Sequence, residues 1–294
     1  MNPRNVISNS NHMKIIIRNC NVAELDIPLK YATKLYNEFA IRHPNAFYLR
    51  TRQRGMQNWD GKIKYITKTG QFKIGLLPSV YKRCIELGIK PIIVDMRQPL
   101  PKVSKVVTQI GKYKLRPEQE KAVKAILSNK LGETPFQIGV LDYTVNAGKT
   151  LIMSALYLSY KKQLKTLLIT NDSDWLNQAR DEFKQYLPGE DITFVQGKVL
   201  NWSNFTIGMV QSISRNMKYY QNELAKIDMV LIDEADQGGS KQYQNVITRL
   251  FNTRVRIGLS GTIYMSKLAK DKVKNMNLRC FFGDVIAEFK LKDS

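Results

Sequence analysis

Residues 144–150, Thr-Val-Asn-Ala-Gly-Lys-Thr, are the part of this sequence best suited to hold a phosphate. They follow an apolar run, 137–141, and open a helical stretch, 149–162. That strand–loop–helix setting is what a phosphate loop needs. In it the backbone N–H groups of Asn146, Ala147 and Gly148 cradle phosphate oxygens at a helix N-terminus. Lys149 reaches the outer phosphates of a nucleotide, and the Thr150 hydroxyl ligates Mg2+. Tyr143 stands where the strict phosphate-loop pattern has its first glycine. Taken alone, Gly148-Lys149-Thr150 also reads as an ordinary helix start.

A second group of residues changes the balance. The apolar run 229–232 leads directly into Asp233-Glu234-Ala235-Asp236. A buried strand would then deliver carboxylates at its carboxyl end, where ligands bind in parallel α/β sheets. Asp233 is the candidate for Mg2+, and Glu234 for orienting and deprotonating an attacking water. A helix N-terminus also attracts acids, but that does not explain their pairing with a phosphate loop. Ser260-Gly261-Thr262 ends the run 256–259. Upstream, Leu115-Arg116-Pro117-Glu118-Gln119 begins a helix, with the Gln119 amide able to pair with an adenine edge and Tyr113 able to stack on the base.

These residues need a scaffold, and the chain supplies an alternating one. Strand-like runs at 137–141, 166–169, 192–195, 206–210, 229–232 and 256–259 alternate with helical stretches at 118–128, 149–162, 174–186 and 242–251. Continuous apolar strands between helices predict a parallel sheet with helices on both faces. Before it, residues 13–96 read as a small α+β domain. Strands are expected at 14–18, 48–52, 62–67, 72–74 and 91–94, and helices at 29–40 and 79–87. Residues 1–12 read as a frayed leader, 97–112 as a linker with Pro99 and Pro101, and 113–294 as the larger α/β domain.

Of the net charge of +21, residues 1–115 hold 21 Lys and Arg against 6 Asp and Glu. Such asymmetry reads as contact with a polyanion, nucleic acid before anionic membrane. On a strand at 48–52 continued to 54, Arg50, Arg52 and Arg54 would share one face, as would Lys62 and Lys64; these are the candidate phosphate contacts. Trp59 has two open readings, a ring that stacks on a base or wedges a junction, and a core residue of a small domain. No apolar run reaches the length of a bilayer span, and the N-terminus does not have a signal-peptide pattern. Three well-separated cysteines argue for a reducing, cytoplasmic setting, and against disulfides or a zinc site.

In this order the four elements resemble superfamily-two helicases of the DEAD/DEAH type: a Gln motif, then motifs I, II and III, over roughly residues 113–290. Motif I departs from the pattern, with Val145-Asn146 where most members have Thr-Gly. A narrower resemblance rests on Gln57-Asn58-Trp59-Asp60-Gly61-Lys62-Ile63-Lys64, Gly75-Leu76-Leu77-Pro78 and Phe282-Gly283-Asp284-Val285-Ile286. These segments are similar to phage helicases of the UvsW type. The resemblance implies a RecA-like motor fold and ATP with Mg2+. It also implies activity on branched, duplex or single-stranded DNA, with RNA–DNA hybrids among the substrates, in recombination and repair in the cytoplasm of a host. Asn171 and Gln178 occupy the place of motif Ia, and Gln211 and Ser212 that of the next strand-contact motif.

Such motors use two RecA-like domains, and only 32 residues follow Thr262. The expectation is therefore an N-terminal portion, with a second motor domain expected in cis and little motor activity without it. Two other readings stay open: a nucleic-acid-binding module that binds ATP without turnover, and a restriction-type motor feeding a nuclease.

Overall fold

The computed structural model describes residues 13–53, 55–144, 147–199, 202–264 and 269–290. The N-terminal part comprises β1 (Lys14–Ile17), β2 (Val22–Asp26), α1 (Leu29–Glu38), β3 (Ala40–Arg42), α2 (Ala46–Arg52), β4 (Lys62–Lys64), β5 (Gln71–Lys73), α3 (Leu77–Glu86) and β6 (Ile92–Asp95). Four strands form a sheet in the order β5-β2-β1-β6, and β3 pairs with β4 as a separate ladder. In β1 the inward residues Ile15 and Ile17 are buried and alternate with half-buried Lys14 and Ile16. Strand β2 follows a turn in which Asn19 Oδ1 accepts from the N–H groups of Asn21 and Val22, at 2.8 and 3.0 Å.

One expected strand is a helix. Residues 46–52 form α2, with Ala46 buried beneath it. Residues two apart on a helix are about 200° apart around its axis. Arg50 and Arg52 are both exposed but do not share a face, and Arg54 lies outside the described residues. Alternating arginines suggest a strand; the inward spacing that governs the segment is that of Ala46 and half-buried Leu49, three apart.

The larger part begins with a short hairpin, β7 (Gln109–Ile110) and β8 (Tyr113–Lys114), then α4 (Pro117–Ser128) and a second hairpin, β9 (Lys130–Leu131) and β10 (Thr134–Pro135). It continues through β11 (Ile138–Tyr143), α5 (Lys149–Ser159), β12 (Thr166–Thr170), α6 (Ser173–Tyr186), β13 (Ile192–Val195), β14 (Phe205–Met209), α7 (Val210–Arg215) and α8 (Met217–Leu224). The last elements are β15 (Met229–Asp233), α9 (Lys241–Ile247), β16 (Val255–Ser260), α10 (Ala269–Phe282) and β17 (Val285–Phe289). Seven strands form one sheet, β13-β14-β12-β15-β16-β11-β17, with every pair parallel.

Each face of this sheet has its own core. Leu141, Leu168, Leu231 and Leu259 point to the side covered by α4, α5 and α6. Val140, Leu167, Val230 and Ile232 point to the other, where they join residues of α7 to α10 and the inward side chains of the N-terminal sheet. Strand side chains alternate in direction, so strands buried on both faces read as unbroken apolar runs.

The N-terminal sheet and the larger part are joined by close contacts. A Cβ on Gly75 would come within 2.1 Å of the Arg279 carbonyl on α10, so only glycine fits there. Arg256 on β16 is fully buried, and burial pushes its pKa down to about 10. Its guanidinium donates to Cys20 O and Asn21 Oδ1, both at 2.8 Å, and to Phe281 O at 3.2 Å. Residues 97–112 lie along the larger part, with Leu100, Val103, Val106 and Val107 against its core and the Val107 N–H donating to Ser159 Oγ at 3.0 Å. No described helix is long and apolar enough to cross a membrane.

Candidate nucleotide site and nucleic-acid surface

Sheet order places β15, β16 and β11 side by side, so the loops at their carboxyl ends meet. The residues read as phosphate loop, acidic cluster and Ser-Gly-Thr turn therefore belong to one site. Gly148 caps α5 in the left-handed region, at φ 72°. A Cβ there would lie 2.3 Å from Gln119 Nε2. That amide is buried and engaged at both ends: Nε2 donates to Ala147 O and Oε1 accepts from the Arg116 N–H, each at 2.9 Å. Gln119 thus ties the start of α4 to the phosphate loop, a use of the amide different from the adenine pairing expected of it. Tyr113 packs edge-to-face on Tyr186, with centroids 5.1 Å apart, and its hydroxyl meets Gln185. This engages its ring with the last turn of α6, away from that helix's first turn at the end of β12. Asn146 lies outside the described residues.

Lys149 and Thr150 form the first turn of α5, and Thr150 is buried. The Lys149 Nζ stands 3.9 Å from Asp233 Oδ1, too far for a hydrogen bond. Asp233 Oδ1 is itself buried and has no hydrogen-bond partner among the described residues. Burial pushes the Asp233 carboxyl up to about 6; Lys149 opposes the shift, while Glu234 and Asp172 add to it. Glu234 is exposed and left-handed, at φ 51°, which turns the chain sharply after β15. Asp236 is held by Ser260 Oγ at 3.0 Å, and the same Oγ accepts from the Thr262 N–H at 3.2 Å. The acidic cluster and the Ser-Gly-Thr turn are therefore in direct contact.

Three contributors escape the sequence reading. Asp172 caps α6, accepting from the N–H groups of Asp174 and Trp175 at 2.8 and 3.1 Å; the Asp-Ser-Asp run at the helix start is a usable signal. Asp142, near the end of β11, forms an ion pair with Lys290, which also donates to Gly261 O at 2.8 Å. Nothing local in the sequence links residues so far apart.

The loops after β12 and β14 touch, through Gln211 Nε2 donating to Asn171 O at 3.3 Å. The side-chain oxygens of Asn171 and Gln211 are buried without partners among the described residues. Ser212 follows on α7, its carbonyl accepting from Asn216. Gln178 is exposed on α6 and bonds Glu182 at 2.9 Å. On the N-terminal part, Lys62 is exposed on β4, whereas Lys64 is paired with Asp60 at 3.2 Å and lies over the Tyr36 ring. Trp59 is half-buried, its indole N–H donating to Lys62 O at 3.0 Å and its ring edge-on to His43. The large exposed aromatics of this part are instead Phe47, 80% exposed, and Tyr48, whose ring lies under Arg52.

A family model described as the res subunit of type III restriction enzymes matches residues 112–265, just over half of the chain. The chain belongs to this family. It is 24% identical over 249 residues to the ATP-dependent DNA helicase uvsW of Enterobacteria phage T4, covering 78% of this chain and 47% of that protein. It is 26% identical over 147 residues to a protein of Acanthamoeba polyphaga mimivirus named as an ATP-dependent RNA helicase, covering 50% of this chain and 27% of that one. The chain thus spans about half, or less, of the length of these relatives. The crystal structure of the T4 UvsW helicase superposes with a TM-score of 0.73 at 21% identity, covering 95% of this chain and all of that one. The fold is that of a RecA-like motor of superfamily-two helicases.

Helicases of this class use ATP, ordinarily with Mg2+. The residues present fit such an ion: an unpartnered buried carboxylate oxygen on Asp233, with the Thr150 hydroxyl as a second hard oxygen donor.

Proposed function

We propose that this chain is the N-terminal part of an ATP-dependent DNA helicase or translocase acting on branched or duplex DNA in recombination and repair. In this reading residues 13–96 form a basic DNA-binding domain, 97–112 a linker and 113–294 the first motor domain, with a second RecA-like domain in cis closing over the nucleotide. The observation that carries it is the Lys149–Asp233 pair, a cation facing a buried carboxylate with one unpartnered oxygen, at the mouth of a parallel sheet. Lys149 holds the β- and γ-phosphates, and the Gly148 turn brings backbone N–H groups to them. Glu234, exposed at the end of β15, orients the attacking water and takes its proton. The Thr150 hydroxyl and the Asp233 carboxylate would hold Mg2+, which would supply positive charge against the charge that develops on the phosphates. The phage relative and three buried free thiols favour the cytoplasm of an infected cell. The test is ATP hydrolysis and fork unwinding by the full-length protein: stimulation by forked DNA supports the reading, and hydrolysis indifferent to DNA overturns it.

The DNA surface has its own expected signature. Arg50, Arg52 and Lys62 contact phosphates, with the exposed rings of Phe47 and Tyr48 on the same part of the chain. Such contacts release counterions, so log affinity should fall with log salt by about 0.9 per phosphate neutralised on duplex. Replacing Arg50 and Arg52 together by Ala should flatten that slope by about 1 to 2 and weaken all sequences alike. Titrations at several salt concentrations check this, and an unchanged slope would remove α2 from the interface.

A further inference from the structure

Two lysines and a tyrosine stand together at the outer edge of the larger part. Tyr219, in the first turn of α8, is 43% exposed. Lys198 Nζ lies 4.0 Å from its ring centroid and Lys218 Nζ 4.9 Å. Both lysines are exposed, and neither has a carboxylate partner among the described residues.

The group is held in place from beneath. Tyr220, the next residue, is fully buried and packs on Trp202, with centroids 5.1 Å apart. Its hydroxyl donates to Gly197 O and accepts from the Val199 N–H. The backbone on both sides of Lys198 is therefore fastened to α8, which fixes Lys198 beside Tyr219. Lys198 comes three residues after the end of β13, and β13 runs parallel to β14 with Val195 opposite Gly208. The group thus lies at the same carboxyl-end rim as Gln211 and Ser212, one strand further out.

We propose that Lys198, Tyr219 and Lys218 form a platform for an unpaired nucleotide of a single strand crossing this rim. The inference rests on the nucleic-acid reading above and extends it. An exposed ring takes a flat partner, and two unpaired ammonium groups beside it take anions. A base flanked by two phosphates supplies both. On binding, the base stacks on Tyr219, and the lysines turn from the ring to the phosphates on either side. An acidic peptide would satisfy the lysines but leave the ring without a flat partner.

The test uses the 294-residue chain and an oligo-dT carrying one 2-aminopurine, with a blunt duplex as control. Tyr219→Ala should weaken single-strand binding about tenfold or more and abolish stacking-dependent quenching of the probe. Tyr219→Phe should retain both. Lys198→Gln and Lys218→Gln should each reduce the single-strand salt slope by about 0.7. Duplex affinity and thermal midpoint should not move in any variant, since all three residues are exposed. Equal single-strand binding and quenching by Tyr219→Ala and unaltered protein would overturn the platform and leave the helicase reading standing. Failure of the unaltered chain to bind either nucleic acid would overturn that reading, and the platform with it. Competition by an acidic peptide, with no quenching of the probe, would overturn the platform and assign the lysines to a protein partner.

Discussion

Replacing Lys149 by Ala should lower MgATP affinity by at least about a hundredfold while the protein stays folded. Lys149 Nζ makes no hydrogen bond to Asp233 across 3.9 Å, so its charge is available to phosphate oxygens. A charge-assisted hydrogen bond contributes about 1.5–3 kcal/mol, and the lysine reaches two phosphates, so about 3–6 kcal/mol is at stake. At about 1.4 kcal/mol per factor of ten, the lower bound is already a hundredfold. The fold should tolerate the change, because the side chain makes no hydrogen bond to Asp233 and a carboxyl left without its cation can take up a proton. Removing the cation also removes what holds the Asp233 carboxyl down, so that carboxyl should protonate at a higher pH than in the parent. Calorimetric or fluorescent-nucleotide titration beside a thermal melt measures both effects. Nucleotide affinity within threefold of the parent would dismiss the phosphate-loop assignment.

Much of the motor is legible because its signals are local. Strands β11, β12, β14, β15 and β16 are short apolar runs buried on both faces, half-buried β13 lies at the sheet edge, and the residues with chemistry to perform sit where those runs stop. Strand β17 lacks such a signal, because its place in the sheet comes from pairing with β11, more than 140 positions earlier in the chain. Helix α2 is obscured because alternating arginines imitate a strand, while its short inward set, Ala46 and Leu49, gives little periodicity to detect. At the candidate site, residue types single out Gly148-Lys149-Thr150 and the acidic cluster, but not how side chains are engaged. Gln119 has the amide that an adenine edge invites, yet the tight turn at Gly148 brings the loop within its reach. Trp59 attracts the stacking role by size, but its indole N–H finds a backbone acceptor only three residues on, and smaller Phe47 carries the exposed ring. Composition cannot choose between two aromatics when tertiary packing decides which is covered.

Asp233 gives the sharpest test, because its stability effect and its functional effect have opposite signs. Its carboxyl is raised from 3.8 to about 6, chiefly by burial. A raised carboxyl means the folded chain binds more protons than the unfolded chain between about pH 4 and 6. Its contribution is therefore fully present below the unfolded value and is lost as pH rises through about 6. A carboxyl raised this far corresponds to about 3 kcal/mol, so near pH 7.5 the ionised carboxylate destabilises the nucleotide-free protein by roughly that amount. Asp233→Asn removes the charge at similar volume and should raise the nucleotide-free thermal midpoint by several degrees. The same substitution removes a charged oxygen ligand for Mg2+, so the gain in nucleotide affinity on adding Mg2+ should disappear. In the parent that Mg2+-dependent gain should itself fade as pH drops below about 6, where Asp233 takes up its proton, and binding without metal should change far less over that window. Melts and nucleotide titrations with and without Mg2+, from about pH 5 to 8, read all of these together. A lower midpoint combined with an unaltered response to Mg2+ would mean that Asp233 is a structural carboxylate, and that the orphaned oxygen facing Lys149 serves packing rather than the metal.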